Sequence, residues 1–335
     1  MSPRKTRKTR KSRQKVTGVM VTGATTPIGE GLVRSLLADE RVGKVLAVAL
    51  EPEESGKTLF AHADRLVYKS VDLGKSRRAH NLLFGPARDM GIEVIIHTAM
   101  HRDPNDHGRK VRSQNVEALR TLLDLSERHP TIRRLVFKSC AEVYQVQYDL
   151  PVLVTEDHPL NMSSGAPQWI RDRVEADLTA CARMGLNRCE IVVLRMAEIL
   201  APGCGSQLFD YLDSAVCLRP AGFDPMMNVL SLHDAVSVLE AATFHADVGL
   251  FNVAGADTLP LSAAIRRWGR MPVPLPGTLL NPLYRARRRF RGSEFSYGMN
   301  RRRFHYATVL DDTRLRDEMG WSPSSPINWP AAISP

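Results

Sequence analysis

Residues 19–29 have the composition of a loop that binds a pyrophosphate. Their sequence, Val-Met-Val-Thr-Gly-Ala-Thr-Thr-Pro-Ile-Gly, predicts a strand, a tight turn at Gly23 and a helix that begins near Ile28. Such a turn brings backbone N–H groups and a helix N-terminus to one point, which suits a dinucleotide phosphate. Gly29 would let the helix pack closely on the sheet. Thr26 stands where such loops usually have their middle glycine. Its side chain narrows the space for the phosphates, although its hydroxyl could donate a hydrogen bond to one of them. A plain strand–helix turn is the alternative interpretation.

A carboxylate follows the second apolar run of the chain. Glu51 lies where an acidic side chain commonly bonds the ribose hydroxyls of a dinucleotide, and its charge would repel the 2′-phosphate of NADP. Glu51 therefore favours NAD over NADP. Ala49 is the alternative residue for the ribose-binding position. Alternatively, Glu51 is a solvated loop carboxylate without a role in binding. Asp72 and Leu73 follow the third run and either flank the adenine or begin a helix that Asp72 caps.

Other side chains with reactive groups are scattered. The cysteines are odd in number and contain no Cys-x-x-Cys pair: Cys140, Cys181, Cys189, Cys204 and Cys217. This pattern argues against a disulfide framework and against structural zinc, and it indicates a reducing cytoplasm. We predict no metal site. His97 and His101 lie at the edge of the predicted crevice. Histidines in such positions are more often packing or loop residues than catalytic ones. A lone thiol such as Cys140 is more often a small hydrophobe than a nucleophile.

The elements that would position these residues alternate between strands and helices. Continuous apolar runs predict strands at 19–22, 45–50, 65–68, 94–98, 135–138 and 190–195, separated by helices such as 28–38 and 114–128. This alternation is typical of a parallel sheet covered by helices on both faces. The predicted fold class is α/β, a doubly wound, Rossmann-like sheet whose ligand crevice lies at the C-terminal ends of the strands.

The chain divides by composition into three parts. Residues 1–15 hold eight Lys or Arg and no acid, which predicts a disordered basic tail. Residues 16–200 are predicted to form the dinucleotide-binding domain. Residues 201–335 begin in a Pro- and Gly-rich stretch and are predicted to form a smaller α/β substrate lobe, interleaved with the first domain. Within this lobe residues 271–276 should form an extended, rigid connection.

Most of the net charge of +10 comes from the tail, because the rest of the chain has 38 basic and 36 acidic residues. The tail is either a solubilising extension or a tether to an anionic partner, nucleic acid or acidic lipid. Eight arginines between 285 and 303 form a second basic segment, interleaved with aromatic residues. This segment suits base stacking or a membrane interface, unless it is a solvated helix face. The absence of a long apolar run or secretory signal indicates a soluble, cytoplasmic protein.

A set of short motifs, in its order and spacing, resembles the extended short-chain dehydrogenase/reductases, which include NAD-dependent nucleotide-sugar epimerases and dehydratases. The resemblance runs from about residue 19 to residue 323. Its motifs include Thr22-Gly23…Gly29, Asp72-Leu73, His97-Thr98-Ala99, Asn115-Val116, Ser139 to Tyr144, Leu194-Arg195, Phe251 to Gly255 and Gly320-Trp321-Ser322-Pro323. The resemblance implies that a dinucleotide is held by Gly23, Thr25, Thr26, Pro27, Ile28, Gly29, Glu51, Asp72, Leu73, Thr98, Ala99, Asn115, Lys138 and Arg173.

The sequence departs from that family at the residues that carry its chemistry. In the family, a Tyr exchanges a proton with the substrate hydroxyl, a Lys lowers the Tyr pKa and holds the nicotinamide ribose, and a Ser or Thr bonds the reacting oxygen. Here Cys140 falls at the Ser/Thr position with Ser139 beside it. Trp169 falls at the Tyr and Arg173 at the Lys. Trp has no ionisable hydroxyl and Arg does not titrate, so the family reaction is not expected.

A second departure concerns the substrate. Members that hold a nucleotide diphosphate place an Arg where this chain has Met227, which leaves Arg219 as the alternative clamp. The resemblance also implies a homodimer through the two helices at 113–129 and 169–184.

We therefore predict an NAD(P)-binding, epimerase/dehydratase-like protein without Tyr/Lys chemistry, whose cofactor is structural or sensed. One alternative is an active nucleotide-sugar epimerase, dehydratase or reductase with Cys140, His97 or His101 as its proton donor. The other alternative is a scaffold that binds RNA or a membrane through residues 4–15 and 285–303.

Overall fold

The fold is built on a parallel sheet at the centre of the chain. The computed structural model describes residues 15–60, 64–186, 188–245, 247–291 and 294–330. The predicted basic tail therefore lies outside the described residues, apart from Lys15. None of the described helices is long and apolar enough to cross a membrane.

The strands are β1 (Val16–Thr22), β2 (Val42–Ala49), β3 (Leu66–Ser70), β4 (Val94–His97), β5 (Arg134–Cys140), β6 (Leu153–Val154), β7 (Glu190–Met196), β8 (Glu198–Ile199), β9 (Val216–Pro220), β10 (Met226–Leu230), β11 (Gly249–Val253), β12 (Asp257–Pro260), β13 (Met271–Leu275) and β14 (Val309–Leu310). The helices are α1 (Pro27–Ala38), α2 (Glu53–Leu59), α3 (Ser76–Leu82), α4 (Arg109–Arg112), α5 (Ala118–Arg128), α6 (Gln168–Cys181), α7 (Gln207–Leu212), α8 (Leu232–Phe244), α9 (Leu261–Arg267), α10 (Gly277–Arg291), α11 (Tyr297–Asn300) and α12 (Thr313–Met319).

Within the described residues the main sheet has seven parallel strands in the order β11-β7-β5-β4-β1-β2-β3. Its central strands are apolar on both faces because helices cover both; β4, for example, is buried along its whole length. The chain order reverses between β1 and β4, which is where doubly wound sheets open a ligand crevice. The predicted doubly wound parallel sheet is confirmed.

One predicted helix differs in form from the expectation. The stretch 114–128 is not one regular helix but a π-helical turn, Ser113–Glu117, followed by α5. The turn buries Asn115, whose side-chain oxygen accepts a hydrogen bond from the His101 backbone N–H at 2.8 Å. A π turn re-aims a side chain without ending the helix, and here it ties α5 to the loop after β4.

The C-terminal part of the chain has its own aromatic core and small sheets. Tyr211 packs against Phe295 and Phe304 with ring centroids 5.1 and 4.9 Å apart. The predicted extended segment 271–276 is β13, which pairs with β9 in a two-stranded sheet where its prolines are tolerated. Strand β11 returns to the main sheet and β14 pairs with β6. The predicted domain boundary at residue 200 stays a prediction.

A buried ion pair ties β7 to α6 behind the crevice. Arg195 donates to both carboxylate oxygens of Asp177, at 3.0 and 2.6 Å, and to the Tyr144 hydroxyl at 3.0 Å. The Ser139 hydroxyl donates to the same Asp177 carboxylate at 2.5 Å. Because Arg195 and Asp177 are almost fully buried, either charge would be uncompensated without its partner.

We expect the substitution Arg195→Met to lower the free energy of unfolding by about 3–5 kcal/mol, because it leaves the Asp177 charge buried alone. The matched control is Arg34→Met, which breaks an exposed ion pair with Glu30 and should cost at most about 1 kcal/mol. Urea unfolding followed by circular dichroism measures both. Equal losses for the two variants would contradict the role given to the buried pair.

Candidate functional site

The loop between β1 and α1 has the geometry of a tight phosphate-binding turn. Gly23 adopts a positive φ of 69°, a conformation that favours glycine. A Cβ on Gly29 would lie 2.1 Å from the Gly23 carbonyl oxygen, so only glycine allows α1 to approach the loop this closely. Pro27 occupies the first turn of α1, where its missing N–H has no cost.

Thr26 caps α1 instead of opening the loop. Its hydroxyl donates to the Gly23 carbonyl at 2.8 Å and accepts from the Gly29 N–H at 3.2 Å. The sequence suggested that this hydroxyl could donate to a phosphate, but its proton is already used within the loop. Thr26 still lines the crevice, but its hydroxyl proton is not available to a phosphate.

A cavity of about 350 Å³ opens beside this loop, at the C-terminal ends of β1 to β4. Its volume falls in the usual range of small-molecule sites. Of the predicted cofactor-binding residues, those that line it are Gly23, Thr25, Thr26, Glu51, Asp72, Leu73 and Ala99. Pro27, Ile28, Gly29, Thr98 and Asn115 are not among its lining residues.

Polar contacts fix the far edge of this cavity. The Glu51 carboxylate accepts a 2.6 Å hydrogen bond from the Thr25 hydroxyl, and the Tyr68 hydroxyl donates to the Glu51 carbonyl. Burial and the neighbouring Glu51 charge raise the pKa of Tyr68 to about 12, so it remains a donor. The Asp72 carboxylate accepts a hydrogen bond from the Gly74 N–H at 3.0 Å and shapes the turn after β3. The N-cap residue of α3 is Lys75. Asp72 is therefore not the helix cap.

The loop after β4 forms the other wall, and sequence reasoning missed most of it. His101, Arg102 and Asp103 line the cavity together with Glu294 from the C-terminal part. The ring nitrogens of His101 contact the Gln114 side chain at 3.1 Å and Asp106 at 2.8 Å. The sequence offered no partner for His101, because Gln114 lies on the next helical segment and joins it only through the fold.

Three residues predicted at the family's reacting positions, Cys140, Trp169 and Arg173, line a second, much smaller cavity of about 30 Å³. Lys138, predicted to bind the cofactor, lines it too. The Arg173 guanidinium stacks on the Trp169 ring, 3.5 Å from its centroid, and donates to the backbone carbonyls of Trp169 and His101. Trp169 and Arg173 are one turn apart on α6, which places them on one face. This space holds about one or two water molecules and no ring.

An ionic cluster borders that small cavity. Arg303 lies between two buried carboxylates, 2.7 Å from Glu198 and 3.6 Å from Glu142. Burial opposes ionisation of Glu142, but the positive charges of Arg303 and Arg173 and a hydrogen bond with Cys140 keep the pKa of Glu142 below its usual value. The carboxylate is therefore ionised and engaged by Arg303.

Two of the three alternative proton donors, Cys140 and His97, are poorly suited to transfer a proton. Burial, helped by the Glu142 charge, raises the pKa of the Cys140 thiol well above its usual value, so the thiolate is not populated near neutral pH. Burial lowers the pKa of His97 to about 4, and its ring nitrogen Nδ1 bonds the Thr22 hydroxyl at 2.8 Å. His97 does not line the cavity. Ser139 also lies away from both cavities, bonded to Asp177.

The arginine-rich segment does not form one uniform surface, which corrects the expectation from sequence. Arg303 is part of the buried cluster, and Arg287 donates to the Val216 carbonyl. Four of the five interleaved aromatic residues are buried: Tyr284, Phe295, Tyr297 and Phe304. They build the core of the C-terminal part, and Phe290 is the exposed one, at 79%. The interleaving therefore records core packing and offers little for base stacking.

Two further sequence features have simple outcomes. Arg219, the alternative clamp for a nucleotide diphosphate, donates to the Phe223 carbonyl within its own turn. Among the described residues, no group of three or more His, Cys, Asp and Glu side chains is arranged as a metal site.

Comparison with known proteins agrees with this fold. Residues 19–212 match the model of the NAD dependent epimerase/dehydratase family. The chain is 30% identical to Uncharacterized protein Rv0501 of Mycobacterium tuberculosis, over 91% of this chain and 80% of that one. Among solved structures, it is similar to dTDP-glucose 4,6-dehydratase of Bacillus anthracis in complex with NAD, with a TM-score of 0.68, 17% identity and 92% of each chain covered.

A second solved structure gives the same result. UDP-glucuronic acid 4-epimerase of Bacillus cereus in complex with NAD has a TM-score of 0.68 at 15% identity, covering 92% of this chain and 94% of that one. At these identities the solved structures show the shared fold. The sheet, the glycine loop and the matched family model together define an extended short-chain dehydrogenase/reductase fold. The chain belongs to the NAD-dependent epimerase/dehydratase family.

We expect Gly29→Ala to lower the melting temperature and to weaken dinucleotide binding by about tenfold or more, because the new methyl group would displace α1 from the Gly23 carbonyl. The matched control is Gly31→Ala in the same helix, where the nearest atom is the Val236 methyl Cγ2 at 3.0 Å. Alanine favours helix, so this control should keep its binding and stability. Thermal unfolding and calorimetric titration with NAD measure both; a loss shared by the control would contradict the close-approach argument.

Proposed function

We propose that this protein binds the adenosine and pyrophosphate half of NAD. We propose further that it does not use NAD for the Tyr/Lys reaction of its family. The observation that carries the proposal is the contrast between the two ends of the crevice. The end beside the glycine loop is an open cavity of about 350 Å³, whereas the end at the reacting positions retains about 30 Å³. NAD would then be a structural or sensed ligand.

The side chains at the reacting end support the absence of the family reaction. Trp169 supplies an indole N–H, which is buried without a hydrogen-bond partner among the described residues and can donate but not exchange a proton. Arg173 keeps a positive charge near the crevice but cannot titrate. The ion pairs of Arg303 with Glu142 and Glu198 fill the space beyond them.

The preference for NAD over NADP is proposed from Glu51. Its carboxylate is oriented by Thr25 at the rim of the open cavity, two residues beyond the end of β2. An anionic group there would bond the ribose hydroxyls and repel a 2′-phosphate.

An active epimerase, dehydratase or reductase is the alternative enzyme function. It would need a proton donor other than Tyr. The environments of Cys140 and His97 argue against these two residues, which leaves His101, on the wall of the open cavity, as the candidate. The homodimer through α5 and α6 stays a proposal from the family resemblance, supported by Leu178, which is 38% exposed on α6. A cytoplasmic location also stays a prediction.

Calorimetric titration with NAD⁺, NADH, NADP⁺, NADPH and ADP-ribose tests the binding proposal. We expect the NAD forms to bind in preference to the NADP forms. ADP-ribose, which lacks the nicotinamide, should bind within about threefold of NAD⁺, since the reacting end contributes little. A large loss of affinity for ADP-ribose would show that the nicotinamide is held and would contradict the proposal.

We expect Glu51→Gln to weaken NAD binding by about tenfold and to strengthen NADP binding, because it removes one charged hydrogen bond and one repulsion. Cys140→Ala, at the reacting end, is the matched control and should leave both affinities unchanged. Calorimetric titration of the two variants is the measurement. If Glu51→Gln leaves the preference for NAD over NADP unchanged, Glu51 is a solvated carboxylate that does not contact the ribose.

Turnover assays separate the proposal from an active enzyme. The wild-type protein should produce no NADH and no epimerised product from UDP- or dTDP-sugars. The variant Trp169→Tyr with Arg173→Lys then tests whether these two positions alone block the reaction. Turnover by the wild-type protein would overturn the proposed loss of chemistry while leaving NAD binding intact.

A further inference from the structure

The outward face of helix α10 carries a stripe of exposed apolar side chains. Leu279, Leu283 and Phe290 are 48%, 42% and 79% exposed. Their spacing of four and seven residues places them on one face of the helix. The adjacent face is anchored by Leu280 and Tyr284, which are buried in the aromatic core. Exposed apolar side chains aligned in this way mark a surface that binds something.

Positive charge lies on the other exposed sides of this helix. Arg285, Arg288 and Arg289 are exposed on the same helix, and Arg301 and Arg302 are exposed on the segment that follows α11. Within the described residues, no ion pair holds any of these five arginines. The surface therefore presents unneutralised cations beside apolar side chains.

The chemistry of this surface favours a lipid bilayer over a nucleic acid. Both partners would attract the arginines through their phosphates. Single-stranded nucleic acid binding also depends on stacked aromatic side chains, and here Tyr284, Phe295 and Phe304 are buried. Aliphatic residues such as Leu279 and Leu283 gain free energy in the boundary between lipid headgroups and acyl chains, where a basic amphipathic helix lies flat.

We propose that α10 docks on an anionic membrane surface, with Leu279, Leu283 and Phe290 in the headgroup–acyl boundary and the exposed arginines on the lipid phosphates. This helix also adjoins the crevice, because Arg288 donates to the Asn105 side chain, and the Asn105 side chain donates to the Glu294 carbonyl. Glu294 lines the open cavity. The docked helix would therefore lie next to the mouth of the dinucleotide site.

Vesicle flotation with the full chain tests this proposal. Vesicles of phosphatidylcholine alone are compared with vesicles that also contain phosphatidylglycerol. We expect binding to the anionic vesicles, and we expect Leu283→Ser with Phe290→Ser to weaken it by about tenfold or more. Arg285→Gln with Arg289→Gln should weaken it by about fivefold for each arginine.

Matched controls keep the result specific. Leu186→Ser removes an 80% exposed apolar side chain elsewhere, and Arg77→Gln with Arg78→Gln removes two exposed arginines of α3. Both controls should bind vesicles like the wild-type protein. Thermal unfolding shows that each variant is folded.

Three results would overturn the proposal. The first is equal binding by the α10 variants and the wild-type protein. The second is binding that disappears only when the eight Lys and Arg residues of 4–15 are neutralised, which would make the tail the tether. The third is binding of a single-stranded RNA without binding of anionic vesicles. Because none of these measurements uses a dinucleotide, their outcome is independent of the proposed NAD binding.

Discussion

The buried carboxylates of Glu142 and Glu198 impose the constraint on which the reacting end of this crevice depends. Two negative charges removed from water need a cation, and Arg303 supplies it from the C-terminal part of the chain. The same contact ties that part to β8 and to the turn after β5. Glu142 and Glu198 line the small cavity together with Cys140, Trp169 and Arg173. The proposed loss of the family reaction depends on this arrangement, in which Arg173 stacks on Trp169.

The opposite end of the crevice follows a different constraint, the close approach of α1 to the loop after β1. The positive φ of Gly23 and the missing side chain of Gly29 bring the helix N-terminus to the sheet edge. This geometry depends on backbone atoms, so it survives when the side chains used for catalysis are replaced. Under the proposed function, the chain keeps its dinucleotide cavity while Trp169 and Arg173 stand at the reacting positions. Binding and chemistry would then be separable, because different parts of the fold support them.

The sequence predicted the fold well because the fold depends on local patterns. Continuous apolar runs predicted β1 to β5 and β7 to within a few residues, and the helix predicted at 28–38 is α1, which begins one residue earlier. The glycine loop was predicted because the spacing of Gly23 and Gly29, between a strand and a helix, is typical of such a loop. The ion pairs of Arg303 could not be predicted, since its partners are distant in sequence and a run of arginines indicates a surface. The hydrogen bond from the Thr26 hydroxyl to the Gly23 carbonyl and the partners of His101 likewise depend on geometry that residue spacing alone does not determine.

The central claim is that NAD can occupy this crevice while its reacting end stays closed. A crystal structure of the NAD complex tests it most directly. We predict an ordered adenosine and pyrophosphate at the Gly23 loop, with Arg303 still between Glu142 and Glu198 and Arg173 still stacked on Trp169. A nicotinamide ring seated against Cys140 and Trp169, with Arg303 displaced from the two carboxylates, would contradict the account and would restore the case for an active enzyme.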